Sequence, residues 1–365
     1  MDMVSIAKRE NNNKRKYLVV NKLQGKHIPV SGSAAFEIFD SLAKKVGQSY
    51  PNEKLLLIGF AETATAIGTR LAVTLNTLFM QTTREQVDNC EYLFFTESHS
   101  HATEQKLIKN DIDAVIDKID RIVFVEDEVT TGNTIMKIIN IIEYLYPKKV
   151  RFAVASLLNG MDGQSLEAYR IKNIDVHYLL KTDHSTFTEI AESFCGDGEY
   201  YEKDDSDACV STTAVSENYL NTRRLTNGRE YDQACLKLFE KICSDTQTAN
   251  IKTMAVIGTE EFMYPALFIA EKFEETGISA LSHSTTRSPI TTSSENDYPL
   301  HKRFSLSSFY DPQRQTFIYD LKKYDHVVII TDSKNNYEAG ANNLANALRK
   351  VGCESIKIYR WCSND

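Results

Sequence analysis

The sequence predicts an α/β protein: a mostly parallel sheet with helices on both faces, plus a second, Rossmann-like α/β domain. Three observations carry this. Short apolar runs alternate with stretches of helical periodicity along most of the 365 residues. The runs are continuous rather than alternating in polarity, as strands covered on both faces require. An acidic, small-residue break at 196–217 (GDGEYYEKDDSDACVSTTAVSE) divides the pattern into two halves.

The elements follow in order. Residues 55–60 (LLLIGF) are an apolar strand, and the small residues 61–65 lead into a helix over 66–75. Residues 77–80 and 122–125 are further strands. A helix over 135–145 ends before Pro147, since the residue preceding a proline is pushed out of helical geometry. Residues 150–157 are a fourth strand. Residues 196–217 read as a linker or long surface loop. Beyond them come a helix over 231–242, a strand over 253–257, a helix over 265–275, a strand over 327–330, a helix over 339–350 and a strand over 355–361. At roughly 100–200 residues per domain this is about two domains. The expected boundaries are 1–200, an acidic linker or loop over 201–220, and 221–365.

Composition excludes several classes. With 42% apolar and 25% charged residues the chain has material for ordinary cores without metal or disulfide staples. Its 42 basic and 50 acidic residues give a net charge of −8, against a protein that coats nucleic-acid phosphate, so no nucleic-acid partner is expected. No stretch approaches the ~18 apolar residues of a spanning helix. Residues 1–16 are polar and lack the apolar centre of a secretory signal. No membrane association is therefore expected. The seven cysteines are scattered and never spaced C-x-x-C, which fits reduced thiols, each buried as a small hydrophobe, in a cytoplasmic protein.

The two halves share three blocks in the same order. LLLIGFAETATAIGTRLA matches MAVIGTEEFMYPALFIA, QTTRE matches STTRS, and DRIVFVEDEVTTGNT matches DHVVIITDSKNNYEA. Gly59 to Arg84 is 25 residues and Gly258 to Arg287 is 29; Arg84 to Glu126 is 42 and Arg287 to Thr331 is 44. A duplication, or at least a shared topology, is expected.

The segment IVFVEDEVTTGNT, residues 122–134, carries the chemistry. A strand ends on Glu126 and Asp127, at the edge where open α/β sheets bind ligands. Thr130, Thr131, Gly132, Asn133 and Thr134 then turn into a helix. A loop at a helix N-terminus offers unpaired backbone N–H groups and the positive end of the helix dipole. Gly132 lets the backbone close on an anion and the threonine hydroxyls add donors, so the loop is a monophosphate cradle. A carboxylate pair repels phosphate. Glu126 and Asp127 therefore suit neighbouring sugar hydroxyls, or a Mg²⁺ ion held indirectly through ribose or water. A sugar phosphate with a vicinal diol satisfies both parts.

This segment resembles the 5-phosphoribosyl-1-pyrophosphate (PRPP) signature of type I phosphoribosyltransferases: apolar strand, two acidic residues, two usually apolar positions, then T-T-G-x-T. The resemblance implies that Glu126 and Asp127 face the ribose hydroxyls and that Thr130 to Thr134 wrap the 5-phosphate. Glu128 departs from the pattern, since the family usually has an apolar residue there. Thr130 stands where the purine-salvage branch has an aspartate serving as a base at the nucleobase, which weighs against hypoxanthine or guanine as acceptor. The family's pyrophosphate loop maps onto Ala61, Glu62, Thr63 and Ala64, with Glu62 unexpected in such a loop. Its mobile catalytic loop maps onto Thr82 through Glu104. There Arg84 is a candidate to neutralise departing pyrophosphate. His99 and His101, on one side of an extended chain, are candidates to donate hydrogen bonds or a proton, or to bind metal.

Over nearly the whole chain the sequence resembles a narrower group, a phosphoribosyltransferase domain fused to a TRSP domain in bacterial tellurium-resistance-type gene clusters. FAETATAIG, TTRE, FTESHSHA and FVEDEVTTGNT carry the first part; NGREY, GTEEFMYPA, STTRSPI and ITDS carry the second. This implies an orotate-phosphoribosyltransferase-like fold and a role in making a nucleoside-like metabolite. The expected activity is Mg²⁺-dependent transfer of phosphoribosyl from PRPP to a small-molecule nitrogen acceptor with release of pyrophosphate. A PRPP-sensing binding protein and a phosphoribosyl-directed hydrolase or phosphorylase are the alternatives. Residues 17–32 and the region after Leu158, with Asn159 and Asp162, are candidates to cap the acceptor. In the second half, Arg224, Arg229, Glu230, Arg287 and Asp332 concentrate charge near strand ends and suggest a second site. A homodimer is left open.

Overall fold

The computed structural model describes residues 3–10, 15–95, 105–335 and 337–363. The chain forms two compact units. One, here the signature unit, comprises Glu37–Asp183 and Leu220–Gln233; the second comprises Met1–Phe36, His184–Tyr219 and Ala234–Asp365. The units interleave along the chain.

In the signature unit six strands order as Thr226–Asn227, Leu78–Gln81, Leu55–Gly59, Arg121–Val129, Arg151–Asn159 and Asp175–Lys181. All neighbours are parallel except the first pair. Leu55–Ile58 and Ile122–Val125 are fully or almost fully buried, as their continuous apolar character predicts. The helix Asn133–Leu145 turns Ile135, Ile138, Ile139 and Ile142 to the core at i, i+3, i+4, i+7 spacing. The helix Thr65–Leu75 likewise falls where the sequence predicts one. The chain moves from Leu55–Gly59 outward to one neighbour and returns on the other side as Arg121–Val129. The two loops that follow these strands therefore flank the point where strand order reverses, the usual ligand crevice of such sheets.

The second unit holds a five-stranded parallel sheet ordered Thr212–Val215, Ile356–Trp361, His326–Thr331, Thr253–Gly258 and Ser279–Ser284. It repeats the signature sheet bond for bond at its centre. Gly59 lies opposite Gln81 and Val125; Gly258 lies opposite Ser284 and Ile330. The Thr82 N–H donates to the Gly59 carbonyl at 2.9 Å, and Thr285 to Gly258 at 3.0 Å. The Ala61 N–H donates to Thr82 Oγ1 at 2.9 Å, and Glu260 to Thr285 Oγ1 at 3.0 Å. Thr83 bridges Lys106, and Thr286 bridges Phe317, both antiparallel. The expected shared topology is thus present down to individual hydrogen bonds.

Two local expectations need correction. Residues 196–217 are not a free linker: Glu199–Tyr201 pairs with Lys302–Ser307, and Thr212–Val215 pairs with Ile356–Trp361. Asn343 and Asn346 also donate to the carbonyls of Asp204 and Ser206 at 2.7 and 2.9 Å. Short edge strands of polar residues leave no periodicity to read. Residues 17–32, proposed to cap the acceptor, belong to the second unit. There the hairpin of Val4–Lys8 and Tyr17–Asn21 buries Ala7 and Val20 in a cluster with Ile290, Tyr298 and Leu300. Of the seven cysteines, none of them disulfide-bonded, Cys235, Cys353 and Cys362 are buried, but Cys195 and Cys209 are exposed and Cys90 and Cys243 are half-buried.

Leu220–Gln233 joins the signature unit by strand pairing with Leu78–Gln81, and Gly228 makes a further close approach. A Cβ on Gly228 would lie 2.3 Å from the backbone of Ala72, and the Gly228 N–H donates to the Thr77 carbonyl at 2.9 Å. Backbone cannot give way as a side-chain tip can. Gly228→Ala should therefore lower stability by roughly 1–3 kcal/mol, the usual cost of overpacking. Thermal unfolding checks this: a lower midpoint for Gly228→Ala is expected, with a neutral result for Gly163→Ala, where a Cβ meets nothing within 4 Å.

Candidate active site

The strand that begins at Arg121 runs to Val129, longer than the apolar pattern indicates, because Glu126 and Glu128 pair with Ser156 and Leu158 of its neighbour. Glu126, Asp127 and Glu128 are all half-buried. Glu126 is held well above the usual carboxylate range, first by burial and then by repulsion from Asp127; the Arg84 guanidinium acts against this. Arg84 is thereby near enough to Glu126 to act on its carboxyl.

Beyond Val129 the chain turns sharply. Gly132 has φ +73°, in the left-handed region, and caps the helix that begins at Asn133. Thr131, Asn133 and Thr134 are exposed and Thr130 is half-buried. The Asn133 N–H donates to Thr131 Oγ1 at 3.3 Å. The Gly132 carbonyl faces inward and accepts from Met136 N at 2.9 Å and from the Tyr169 hydroxyl at 2.7 Å. The loop's inner side is thus fixed while its hydroxyls and helix-end N–H groups face outward.

The loop after Gly59 is held at the same edge. Phe60 N donates to Val125 O at 3.0 Å, Gln105 Nε2 donates to Ala61 O at 2.7 Å, and the Ala61–Glu62 peptide is cis. The Thr63 hydroxyl donates to Asp127 Oδ1 at 2.7 Å, joining the two loops directly. The structure therefore brings Ala61, Glu62, Thr63, Ala64, Arg84, Glu126, Asp127 and residues 130–134 to one end of one sheet. His99 and His101 lie outside the described residues. On either side of them, Tyr92–Phe94 and Lys106–Ile108 form a two-stranded antiparallel ladder. Asn159 is buried, its Oδ1 accepting from Met161 N and Lys181 Nζ, while Asp162 caps the helix Gly163–Ile171 through Ser165 N.

The second-half residues divide between the units. In the signature unit Arg224 forms two 2.8 Å bonds to the Asp111 carboxylate, and Arg229 and Glu230 are exposed in the first turn of the helix Gly228–Asp245. In the second unit Arg287 pairs with Glu260 at 2.5 Å, and Asp332 accepts from the Tyr310 hydroxyl at 2.6 Å. Two supporting residues escaped sequence reasoning: Tyr169 and Gln105. Tyr169 stands 37 residues from the glycine it holds, so no local motif could reveal it. A pocket of about 410 Å³, lined in part by Tyr50, Lys54, Asn76 and Lys118, lies at the opposite end of the strands, among the residues before Leu55 and Leu78. Its position separates it from this chemistry.

Both glutamate and aspartate are hard oxygen donors that suit Mg²⁺. Among the described residues, however, no group of three or more His, Cys, Asp or Glu could hold a metal ion. No helix among the described residues is long and apolar enough to cross a membrane.

Residues 3–183 belong to a phosphoribosyl transferase family, and residues 224–348 match the TRSP domain that lies C-terminal to it. The chain is an enzyme of the phosphoribosyltransferase type, a pentosyltransferase. Among solved structures it is similar to adenine phosphoribosyltransferase from Rhodothermus marinus, at 14% identity over 50% of this chain and 95% of that one, with a TM-score of 0.35. It is also similar to the Trypanosoma brucei enzyme solved with AMP, pyrophosphate and ribose-5-phosphate, at 14% identity over 49% and 77%, TM-score 0.36. The enzyme from Leishmania donovani is 16% identical over 66% and 89%, TM-score 0.36. No curated protein matches the chain.

Tyr169→Phe tests the inner support. It leaves the buried Gly132 carbonyl one bond short, which should cost about 1–3 kcal/mol of stability. A lowered unfolding midpoint together with weaker binding of ribose 5-phosphate is expected. Unchanged phosphate affinity would separate the loop's shape from Tyr169.

Proposed function

We propose that the chain transfers the phosphoribosyl group of PRPP to a nitrogen of a small-molecule acceptor, releasing pyrophosphate, in the making of a nucleoside-like metabolite in the cytoplasm. The reading assigns phosphoribosyl transfer to residues 1–200, followed by an acidic segment at 201–220 and a TRSP-like segment at 221–365. The observation that carries it is the Thr63–Asp127 bond beside the left-handed Gly132 cap. It sets a carboxylate pair and two N–H-rich loops around one space.

In this reading residues 130–134 grip the 5-phosphate through the helix N-terminus and hydroxyls. Asp127 accepts a hydrogen bond from a ribose hydroxyl. Glu126, which keeps its proton to higher pH than an ordinary carboxylate, is able to donate to the other. Residues 61–64 face the pyrophosphate, and Arg84 offsets the negative charge that builds on it as its bond to the anomeric carbon lengthens. Mg²⁺ bound with PRPP would neutralise further pyrophosphate charge. No covalent nucleophile is required: the chain's part is positioning and electrostatic stabilisation. His99 and His101 are proposed to contribute at the pyrophosphate. The second reading, a PRPP sensor without turnover, uses the same cradle and is separated by product analysis. Incubation with Mg²⁺, PRPP and a cell extract should yield pyrophosphate and a phosphoribosylated nitrogen compound by mass spectrometry. PRPP consumption by water or phosphate alone would indicate a hydrolase or phosphorylase, and none at all a sensor.

Asp127→Asn is the sharpest single substitution. The amide oxygen still accepts from Thr63, so the link between loops survives while the charge is lost. Charge-assisted bonds contribute about 1.5–3 kcal/mol. PRPP affinity measured by calorimetry should therefore fall by about ten- to a hundredfold, with little change in unfolding midpoint. Equal affinity would remove Asp127 from the ribose site.

A further inference from the structure

The second unit repeats the frame of the proposed pyrophosphate loop but fills it differently. By the shared register and hydrogen bonds, Glu260 matches Ala61, Thr285 matches Thr82, Arg287 matches Arg84 and Asp332 matches Asp127. Even the carbonyl contact is kept: Gln105 Nε2 donates to Ala61 O, and Lys26 Nζ donates to Glu260 O at 2.6 Å. Where the first loop carries a methyl group, the second carries a carboxylate. Glu260, fully buried and at φ +50°, ends on Arg287 at 2.5 Å and Arg314 at 2.9 Å, and also accepts from the Ser308 hydroxyl. A buried carboxylate held by two guanidinium groups has the charge and donor set of a bound oxyanion. The position that matches the ribose clamp is filled in the same way. Asp332 accepts from two phenol hydroxyls, Tyr310 at 2.6 Å and Tyr219 at 3.3 Å, as a carboxylate would from two ribose hydroxyls.

We infer that the second unit holds a self-occupied copy of the PRPP site: Glu260 stands in for the pyrophosphate anion, and the Tyr310 and Tyr219 hydroxyls stand in for the ribose diol. The inference rests on the reading of residues 61–64 as a pyrophosphate loop. Arg287 is the cation of this internal pair. The unit takes no PRPP, and each chain binds one PRPP. Removing the resident carboxylate uncovers an oxyanion site for pyrophosphate or phosphate on Arg287 and Arg314.

Glu260→Ala and Glu260→Gln, with pyrophosphate as the probe, test this. Both variants lose stability, because the two guanidinium groups lose their shared buried carboxylate and keep only Glu261, 4.0 Å from Arg287, and Asp311, 3.7 Å from Arg314. Pyrophosphate should raise the unfolding midpoint of Glu260→Ala by several degrees beyond its effect on the wild type. It should raise that of Glu260→Gln far less, since the amide still fills the space. Equal effects on both variants, or no extra effect on Glu260→Ala, would overturn the inference. If Glu260→Ala does not fold, the wild type decides: hydrogen exchange at residues 259–263 and 285–287 should be the same with and without saturating pyrophosphate, and new protection there would overturn it. Calorimetry with Mg-PRPP should give one site per chain, and two sites would contradict it. A wild type that binds no PRPP would instead fail the reading of the first site, while the pyrophosphate response of Glu260→Ala still decides this one.

Discussion

The parallel pairing of Leu55–Gly59 with Arg121–Val129, with Gly59 opposite Val125, is the constraint on which the site depends. It ends two strands at one level and sends their loops out of the same edge of the sheet. Only then can the Thr63 hydroxyl reach Asp127, and only then do the loop after Gly59, a carboxylate pair and a helix N-terminus share one space. A one-residue slip of this register would send each of Glu126 and Asp127 to the face the other now occupies and dissolve the arrangement. The constraint is in turn held by burial. Leu56, Leu57, Ile58, Ile122, Val123, Phe124 and Val125 are completely shielded from water, so the strands have no better register to move to.

Glu126 shows how this geometry acts on chemistry. Its carboxyl is raised because it lies in a poorly solvated position beside a like charge. An isolated surface glutamate has neither feature. The Arg84 guanidinium, 42 positions earlier in the chain, works in the opposite sense on Glu126. This coupling ties the acidic pair to the segment that begins at Thr82.

Much of this was legible in the sequence, for physical reasons that differ by residue. The strands at 55 and 122 and the helices at 65 and 133 announce themselves because continuous apolar runs and 3.6-residue periodicity are local properties. Gly132 was legible because a left-handed turn before a helix leaves few residue choices. Tyr169 and Gln105 were not, because each supports a backbone carbonyl distant in sequence and any pattern would have to be read in three dimensions. The edge strands within 196–217 were not legible because short polar strands at a sheet's margin carry little apolar signal. The repeat of the two halves was visible as three ordered blocks. What the blocks could not reveal was that Glu260, an unremarked acidic residue among them, ends on Arg287 and Arg314. That pairing depends on Arg314, which lies in none of the three blocks.

The most direct measurement of the central account is hydrogen exchange of the whole chain with and without Mg-PRPP. The account predicts slowed exchange in two separate stretches of the signature unit, residues 61–65 and 130–136, because one ligand engages both loops. Protection of neither stretch, or protection of one with the other unchanged, would contradict a single site built by these two loops.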